Sequence, residues 1–208
     1  MLAGVLSNSV LSTFGRENTP ASEGPCLEDS RDIAAALRGD ENAFASLVRR
    51  YESGVYAQMC RFSRDPGTCR ELVQDVFVEV YLSLKSYRGD APFVHWLRRI
   101  ATRVGYRYWG RESRQRRLRD AMQQAVQGGG GGRQESPSDA ADLLFEILSH
   151  LEQKDRLVLT LYYFEGCASG EIASRMGWSE TLVRVRMHRA RHRLRKLVEE
   201  HPHWREGL

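Results

Sequence analysis

The sequence predicts an all-α fold of two small helical bundles joined by a flexible linker. Three observations carry this. Apolar residues recur at helical spacing along most of the chain, and no stretch alternates apolar and polar residues with the period of a strand. Hydrophobic residues make up 41% of the 208 positions, enough for a core on either side of a divide. That divide is a run of glycines, Gly128 to Gly132, followed by Arg-Gln-Glu-Ser-Pro-Ser-Asp, which has the composition of a tether. A glycine-rich hinge at this place argues against an active-site cleft fixed between the halves.

Residues 1–28 are rich in Ser, Gly, Pro and Thr without a sustained period and read as a mobile tail. A short helix is expected from Arg31 to Arg38, closed by Gly39. Asp40 is placed to N-cap the next helix, whose stripe is Phe44, Leu47, Val48, Tyr51, Val55 and Met59. Asp65-Pro66-Gly67 marks a turn. The cleanest helix follows, with Leu72, Val73, Val76, Phe77, Val80, Tyr81 and Leu84 on one face and Glu71, Gln74, Asp75 and Glu79 towards the other. Ser86 to Asp90 is a loop, and Pro92 suits the first turn of a helix that buries Phe93, Trp96, Leu97, Ile100, Ala101 and Val104. Residues 29–118 form the first domain on this reading, and 119–138 the linker. In the second domain, 139–199, Asp139 caps a helix with Leu143, Leu144, Ile147, Leu148 and Leu151 inward. A helix over Lys154 to Phe164, a turn at Glu165-Gly166, a short helix from Ser169 to Met176 and a long helix capped by Ser179 complete it, with 200–208 as a tail.

Net charge is +4 and the sequence pI is near 9.0, but the distribution says more than the total. Acids gather between Glu71 and Glu79, and bases gather from Arg98 to Arg119 and from Arg184 to Lys196. Two separated basic blocks favour a polyanionic partner. Cys26, Cys60, Cys69 and Cys167 form no CxxC pair, so reduced thiols in a cytoplasmic protein are expected rather than a zinc or disulfide framework. The first fifteen residues lack the basic start of a signal peptide, and no apolar run approaches a membrane span, so no direct membrane insertion is expected. No convergent nucleophile, metal or phosphate-cradling constellation appears, which disfavours an enzyme: no catalytic residue, no metal ligand and no cofactor is expected.

The run Glu171 to Arg191 has the form helix, glycine turn, helix. Ala173 supplies the small residue where the helices cross and Gly177 the breaker; Ile172, Ala173 and Met176 face Val183, Met187, Ala190 and Leu194. This is the helix-turn-helix arrangement, whose second helix lies in the major groove. With that stripe inward, Thr181, Arg184, Val185, His188, Arg189 and His192 face out. Arg184 suits a two-pronged contact to guanine, and the arginines from Arg189 onward suit phosphates. A basic surface helix or a membrane-surface helix is the competing reading; the narrow stripe, without large anchors, disfavours the latter. His188 and His192 lie at i, i+4, with no third metal ligand evident. In the first domain aromatics mix with arginines. Bases exposed by strand opening stack on such rings, and the Ser86–Ala91 loop is placed to cradle a flipped base. Phe93 and Trp96 are expected in the core, whereas Tyr106, Tyr108 and Trp109 stay open between core and DNA. The acidic face reads either as a solvated surface or as a protein-docking one.

At this point two stretches resemble a family. Leu72 to Ala101 is similar to region 2, and Leu151 to Arg195 to region 4, of the extracytoplasmic-function (ECF, group IV) sigma factors of bacterial RNA polymerase, in the sigma-70 family. The resemblance spans about Asp40 to Glu199. It implies an alternative sigma factor that binds core RNA polymerase and directs promoter-specific initiation. Glu71, Gln74, Asp75 and Glu79 would dock on the clamp helices of the polymerase largest subunit. Tyr87, Arg88, Asp90, His95, Arg99, Arg103, Arg107 and Tyr108 would recognise and melt the −10 element. Thr181, Arg184, Val185, His188, Arg189 and Arg191 would read the −35 element. It implies promoter DNA and an anti-sigma factor as further partners. Three departures bear on which promoter is read: Arg103 stands where Asn is common, Leu182 and Val185 replace a common Thr and Ser, and the turn before the short helix reads Cys-Ala-Ser-Gly. Val185 suits a thymine methyl rather than a hydrogen-bonding base edge. The other class kept open is a stand-alone helix-turn-helix regulator.

Overall fold

A computed structural model describes residues 27–126 and 140–201. Among the described residues eight α-helices and no strand are found, so the fold is all-α. They fall into two compact units, one ending at Tyr108 and the other beginning at Trp109.

The first unit starts with α1, Leu27–Leu37, four residues ahead of the expected Arg31. Glu28 and Asp29 in its first turn favour the positive end of the helix dipole, which explains the earlier start. Gly39, with φ of +96°, reverses the chain, and the Asp40 carboxylate accepts from the backbone N–H groups of Asn42 (2.9 Å) and Ala43 (3.2 Å) to open α2, Glu41–Met59. Asp65 caps α3, Pro66–Ser83, in the same way, taking both the N–H and the hydroxyl of Thr68 at 2.7 Å. The Thr68 hydroxyl holds the Asp65 carboxyl below the usual carboxylate range. A 3-10 turn, Leu84–Ser86, leads into the loop before α4, Phe93–Val126.

The core of this unit joins Leu47, Val55 and Met59 of α2, Leu72, Val76 and Val80 of α3, and Phe93, Leu97, Ala101 and Val104 of α4. Ile33 and Ala36 seat α1 on it. Tyr81, expected on the inward stripe, is instead 56% exposed. The inward face is centred on Val76 and Val80, and one residue further along a helix turns by about 100°. The Tyr81 ring therefore lies on the flank, edge-on to Phe44 at 5.1 Å. Trp96 is also half-buried rather than core. Cys69 is buried and Cys60 half-buried, both as free thiols. Burial, and then its contact with the Cys60 thiol, push Cys69 up to about 12, so it stays protonated at neutral pH.

The helix expected to end before a linker at 119 continues to Val126. Residues 111–126 contain strong helix formers and no Gly or Pro, so nothing stops it. The break between the compact units falls within this helix, between Tyr108 and Trp109. The glycine run, the Asp139 cap, Cys26 and the tails 1–26 and 202–208 lie outside the described residues.

In the second unit α5 is Ala140–Ser149, and α6, Gln153–Leu159, passes into a π-helical turn, Thr160–Phe164. α7, Ser169–Met176, and α8, Glu180–Glu200, follow. Ile147, Leu157, Leu161, Ile172, Val183 and Ala190 are fully buried. Trp109 joins this core, 2% exposed, which settles it as a packing residue. The Arg156 guanidinium stacks 4.0 Å above its ring and 5.0 Å from that of Phe145.

Gly105 is buried in α4, where a Cβ would overlap the Phe62 ring, itself 1% exposed. A helix-interior Gly→Ala change ordinarily gains about 1 kcal/mol. Here Gly105→Ala is expected to cost about 1–3 kcal/mol through overpacking, read from the denaturant midpoint.

Candidate nucleic-acid interface

The C-terminal site is built from one turn. Gly177 adopts φ of +68°, a left-handed conformation that ends α7 and that side chains rarely adopt. The N–H of Trp178 donates back to the Ala173 carbonyl at 3.0 Å. Ser179 is extended, and its hydroxyl accepts from the Leu182 N–H at 3.2 Å, opening α8. Val183, Met187, Ala190 and Leu194 are buried against Ile172 and Ala173, as the spacing requires; Met176 is only half-buried. Burying that stripe turns Thr181, Arg184, Val185, His188, Arg189 and His192 outward, and all six are exposed.

Arg184 pairs with Glu180 at 2.6 Å across one helical turn, with its side chain 70% exposed. Such a pair contributes about 0.3–0.5 kcal/mol, so exchanging Glu180 for a guanine edge or a phosphate costs little. Arg191 differs. Its Nε donates to the Tyr163 hydroxyl at 3.0 Å, and its guanidinium lies over Tyr162 and Tyr163 of the π-helical turn. It is half-buried and holds α8 to that turn.

Arginines that the sequence pattern did not single out as structural anchor the unit. Arg186 is 3.0 Å from both Glu152 and Asp155 at the start of α6, and the Asp155 side chain is buried. Arg193 leans towards the same two acids at 3.9–4.0 Å. Arg175, buried in α7, bridges Glu165 and Glu171. Only the Glu171–Arg175 spacing of i, i+4 was visible in the sequence.

In the first unit the loop between the 3-10 turn and α4 is closed by the Tyr87 hydroxyl, which donates to the Ala91 carbonyl at 2.6 Å. Gly89, at φ of +78°, makes the bend; Arg88 and Asp90 are exposed around it. The Tyr87 ring rests on Phe93 and Trp96, each 5.5 Å away between centroids. Along α4, His95, Arg99, Arg103 and Arg107 recur every four residues and so share one face beside this loop. His95 and Arg103 are exposed, while Arg99 and Tyr108 are half-buried.

Arg107 is bound to Glu79 of α3, which joins one residue expected on the DNA side to one expected on the docking side. Glu71, Gln74 and Asp75 are exposed on α3. Beside them lie Val78, 59% exposed, and Leu82, 75% exposed, which the sequence pattern did not single out. Positions 71, 74, 75, 78 and 82 share one helical face, so the acidic surface carries an apolar ridge. A mixed surface of this kind suits a protein partner better than solvent. Among the described residues no helix is long and apolar enough to cross a membrane.

Comparison with known proteins agrees with this geometry. The model of the family described as Sigma-70 region 2 matches residues 47–115, and that described as Sigma-70, region 4 matches residues 141–194. The chain is 28% identical over 182 residues to the RNA polymerase sigma-H factor of Pseudomonas aeruginosa, covering 83% of this chain and 94% of that one. It is likewise 28% identical over 183 residues to the ECF RNA polymerase sigma-E factor of Escherichia coli strain K12, covering 83% and 95%. Among solved structures it is similar to CnrH in complex with the cytosolic domain of CnrY. The TM-score is 0.55 and the identity 26%, over 84% of this chain and 99% of that one.

The two kinds of exposed arginine separate in a salt titration of duplex binding by the full chain assembled with core polymerase. Arg189→Ala is expected to weaken all duplexes alike and to reduce the slope of log K against log salt by about 1. Arg184→Ala is expected to relax preference at one base pair, by about 1–3 kcal/mol. A uniform loss for Arg184→Ala, or an unchanged slope for Arg189→Ala, contradicts the assignment.

Proposed function

The chain belongs to the extracytoplasmic-function sigma factors of the sigma-70 family, and we propose that its two units divide promoter recognition between them along the surfaces described above. It is an alternative sigma factor: it binds core RNA polymerase and directs promoter-specific transcription initiation. A stand-alone helix-turn-helix regulator is not favoured, because it would have no use for region 2.

In the proposed division, α8 enters the major groove at −35. Arg184, Val185 and His188 reach base edges there, and Thr181 and Arg189 hold the backbone. Arg191 contributes indirectly, by fixing α8 on Tyr162 and Tyr163. The 87–91 loop receives a base of the −10 element as the duplex opens. His95, Arg99 and Arg103 run beside it along the strand, with Arg107 and Tyr108 further down the same helix. The ridge of Glu71, Gln74, Asp75, Val78 and Leu82 takes the clamp helices of the polymerase largest subunit, while Glu79 orients Arg107 from behind. Residues 29–118, 119–138 and 139–199 then serve as region 2, connector and region 4. The observation that carries this division is the exposed face of α8, left outward by the burial of Val183, Met187, Ala190 and Leu194.

The protein acts in the cytoplasm on this reading, without chemistry of its own. CnrH, to which it is similar, was solved with the cytosolic domain of CnrY. We infer that this chain is likewise held by an anti-sigma factor until a signal releases it.

Reconstitution with core polymerase tests the docking face. Wild-type chain is expected to give discrete transcripts from the promoter upstream of its own gene. Asp75→Arg is expected to weaken core binding at least about tenfold, through repulsion added to a lost contact, without changing the melting temperature. Undiminished assembly and transcription with Asp75→Arg would remove α3 from the interface.

A further inference from the structure

The residue that raises a question outside the sites already described is Asp29. It is 4% exposed, on the first turn of α1, ahead of the region 2 match. A buried carboxylate is costly unless its oxygens are occupied. Here both are. Oδ1 accepts from Nη1 of Arg50 at 2.5 Å, and Oδ2 accepts from the Tyr51 hydroxyl. Arg50 also reaches Asp32 at 2.8 Å and Glu28 at 3.5 Å, so three acids of α1 converge on one guanidinium of α2.

What lies beyond Tyr51 gives this network a direction. The Tyr51 ring packs against Phe93 with centroids 5.5 Å apart. Phe93 stands edge-on to Tyr87 at 5.5 Å and 87°, and packs on Trp96 at 5.6 Å. Tyr87 in turn closes the 87–91 loop through the Ala91 carbonyl. The helix α1 also packs directly on the 3-10 turn that enters this loop. Burial, and after it the negative charges of Asp29 and Asp90, raise the Tyr87 phenol. A loop that recognises a base is only as selective as the groups that hold it in place. Tyr51, fixed at its hydroxyl, is one of those groups, and Asp29 is what fixes it.

We propose that Asp29 is a positioning residue for −10 recognition: through the Tyr51 hydroxyl it fixes the Tyr51–Phe93–Tyr87 stack that sets the shape of the 87–91 loop. The inference rests on the reading of that loop as the −10 contact. It assigns α1 a role in promoter selectivity, separate from docking on polymerase.

The test uses holoenzyme assembled with core polymerase and two labelled single strands. One carries the −10 element of a promoter the holoenzyme transcribes; the other carries a single changed base within that element. The readout is the ratio of the two affinities, with core affinity measured in parallel. Asp29→Ala and Tyr51→Phe are each expected to lower the ratio about fivefold, because a loop no longer held in one shape admits the changed base more readily, while core affinity stays within about twofold. Tyr51→Phe keeps the ring in the core, and a merely structural role would not move a ratio of affinities. It decides the matter if Asp29→Ala does not fold. Asp90→Ala in the loop is the reference. If it leaves the ratio intact, the loop reading itself fails. If it collapses the ratio while Tyr51→Phe does not, the positioning role of Asp29 alone is overturned. A parallel fall of ratio and core affinity in Tyr51→Phe overturns it as well.

Discussion

The ion pairs between Arg186 and the two acids that open α6 hold the recognition helix in place, and much of the second unit's function follows from them. Asp155 is buried, so its charge is tolerated while arginines of α8 stay against it, Arg186 at 3.0 Å and Arg193 at 3.9 Å. That requirement fixes the rotation of α8, and rotation decides which of its many arginines meet DNA. Arg175 does the same for α7, bound between Glu165 and Glu171. Removing either arginine would take the nearest cation from a buried carboxylate, at a cost of up to about 3–5 kcal/mol. The basic stretch is therefore divided by chemistry: Arg186 is held by acids, Arg191 is stacked on tyrosines, and Arg184 and Arg189 are left exposed on the face proposed for nucleic acid.

The first unit applies the same division with the signs arranged differently. Arg50 is enclosed by Glu28, Asp29 and Asp32, and Arg107 is held by Glu79. What is left exposed is an acidic and apolar ridge on α3 and a basic, aromatic surface around the 87–91 loop. A surface of one sign facing protein and another of opposite sign facing DNA keeps the two partners from competing for the same patch. The Glu79–Arg107 bridge ties α3 to α4, so the proposed docking helix is held to the helix proposed to contact DNA.

The features set by local chemistry were legible in the sequence. Asp40, Gly177 and Ser179 announce helix boundaries through caps and a left-handed turn, and each stands where it was expected; Asp65-Pro66-Gly67, expected as a turn, instead caps and opens α3. The α8 stripe was legible because a period of 3.6 needs no partner to be seen. What was not legible depends on residues far apart. Asp155 and Arg186 are 31 positions apart, and Asp29 and Tyr51 are 22 apart, so no local pattern joins them. Tyr81 was misplaced because an aromatic at the margin of a stripe is drawn inward by hydropathy alone. The continuation of α4 to Val126 was missed because composition signals a tether only where glycine begins, at Gly128.

On the proposed division, the surfaces amount to two DNA grips and one polymerase grip. The most direct measurement is to sequence the DNA recovered with the polymerase complex from cells that contain this protein. Two short motifs at a fixed separation are predicted, the downstream one matching the strand-opened position in permanganate footprints. A single duplex motif, recovered equally well without polymerase, would contradict the account.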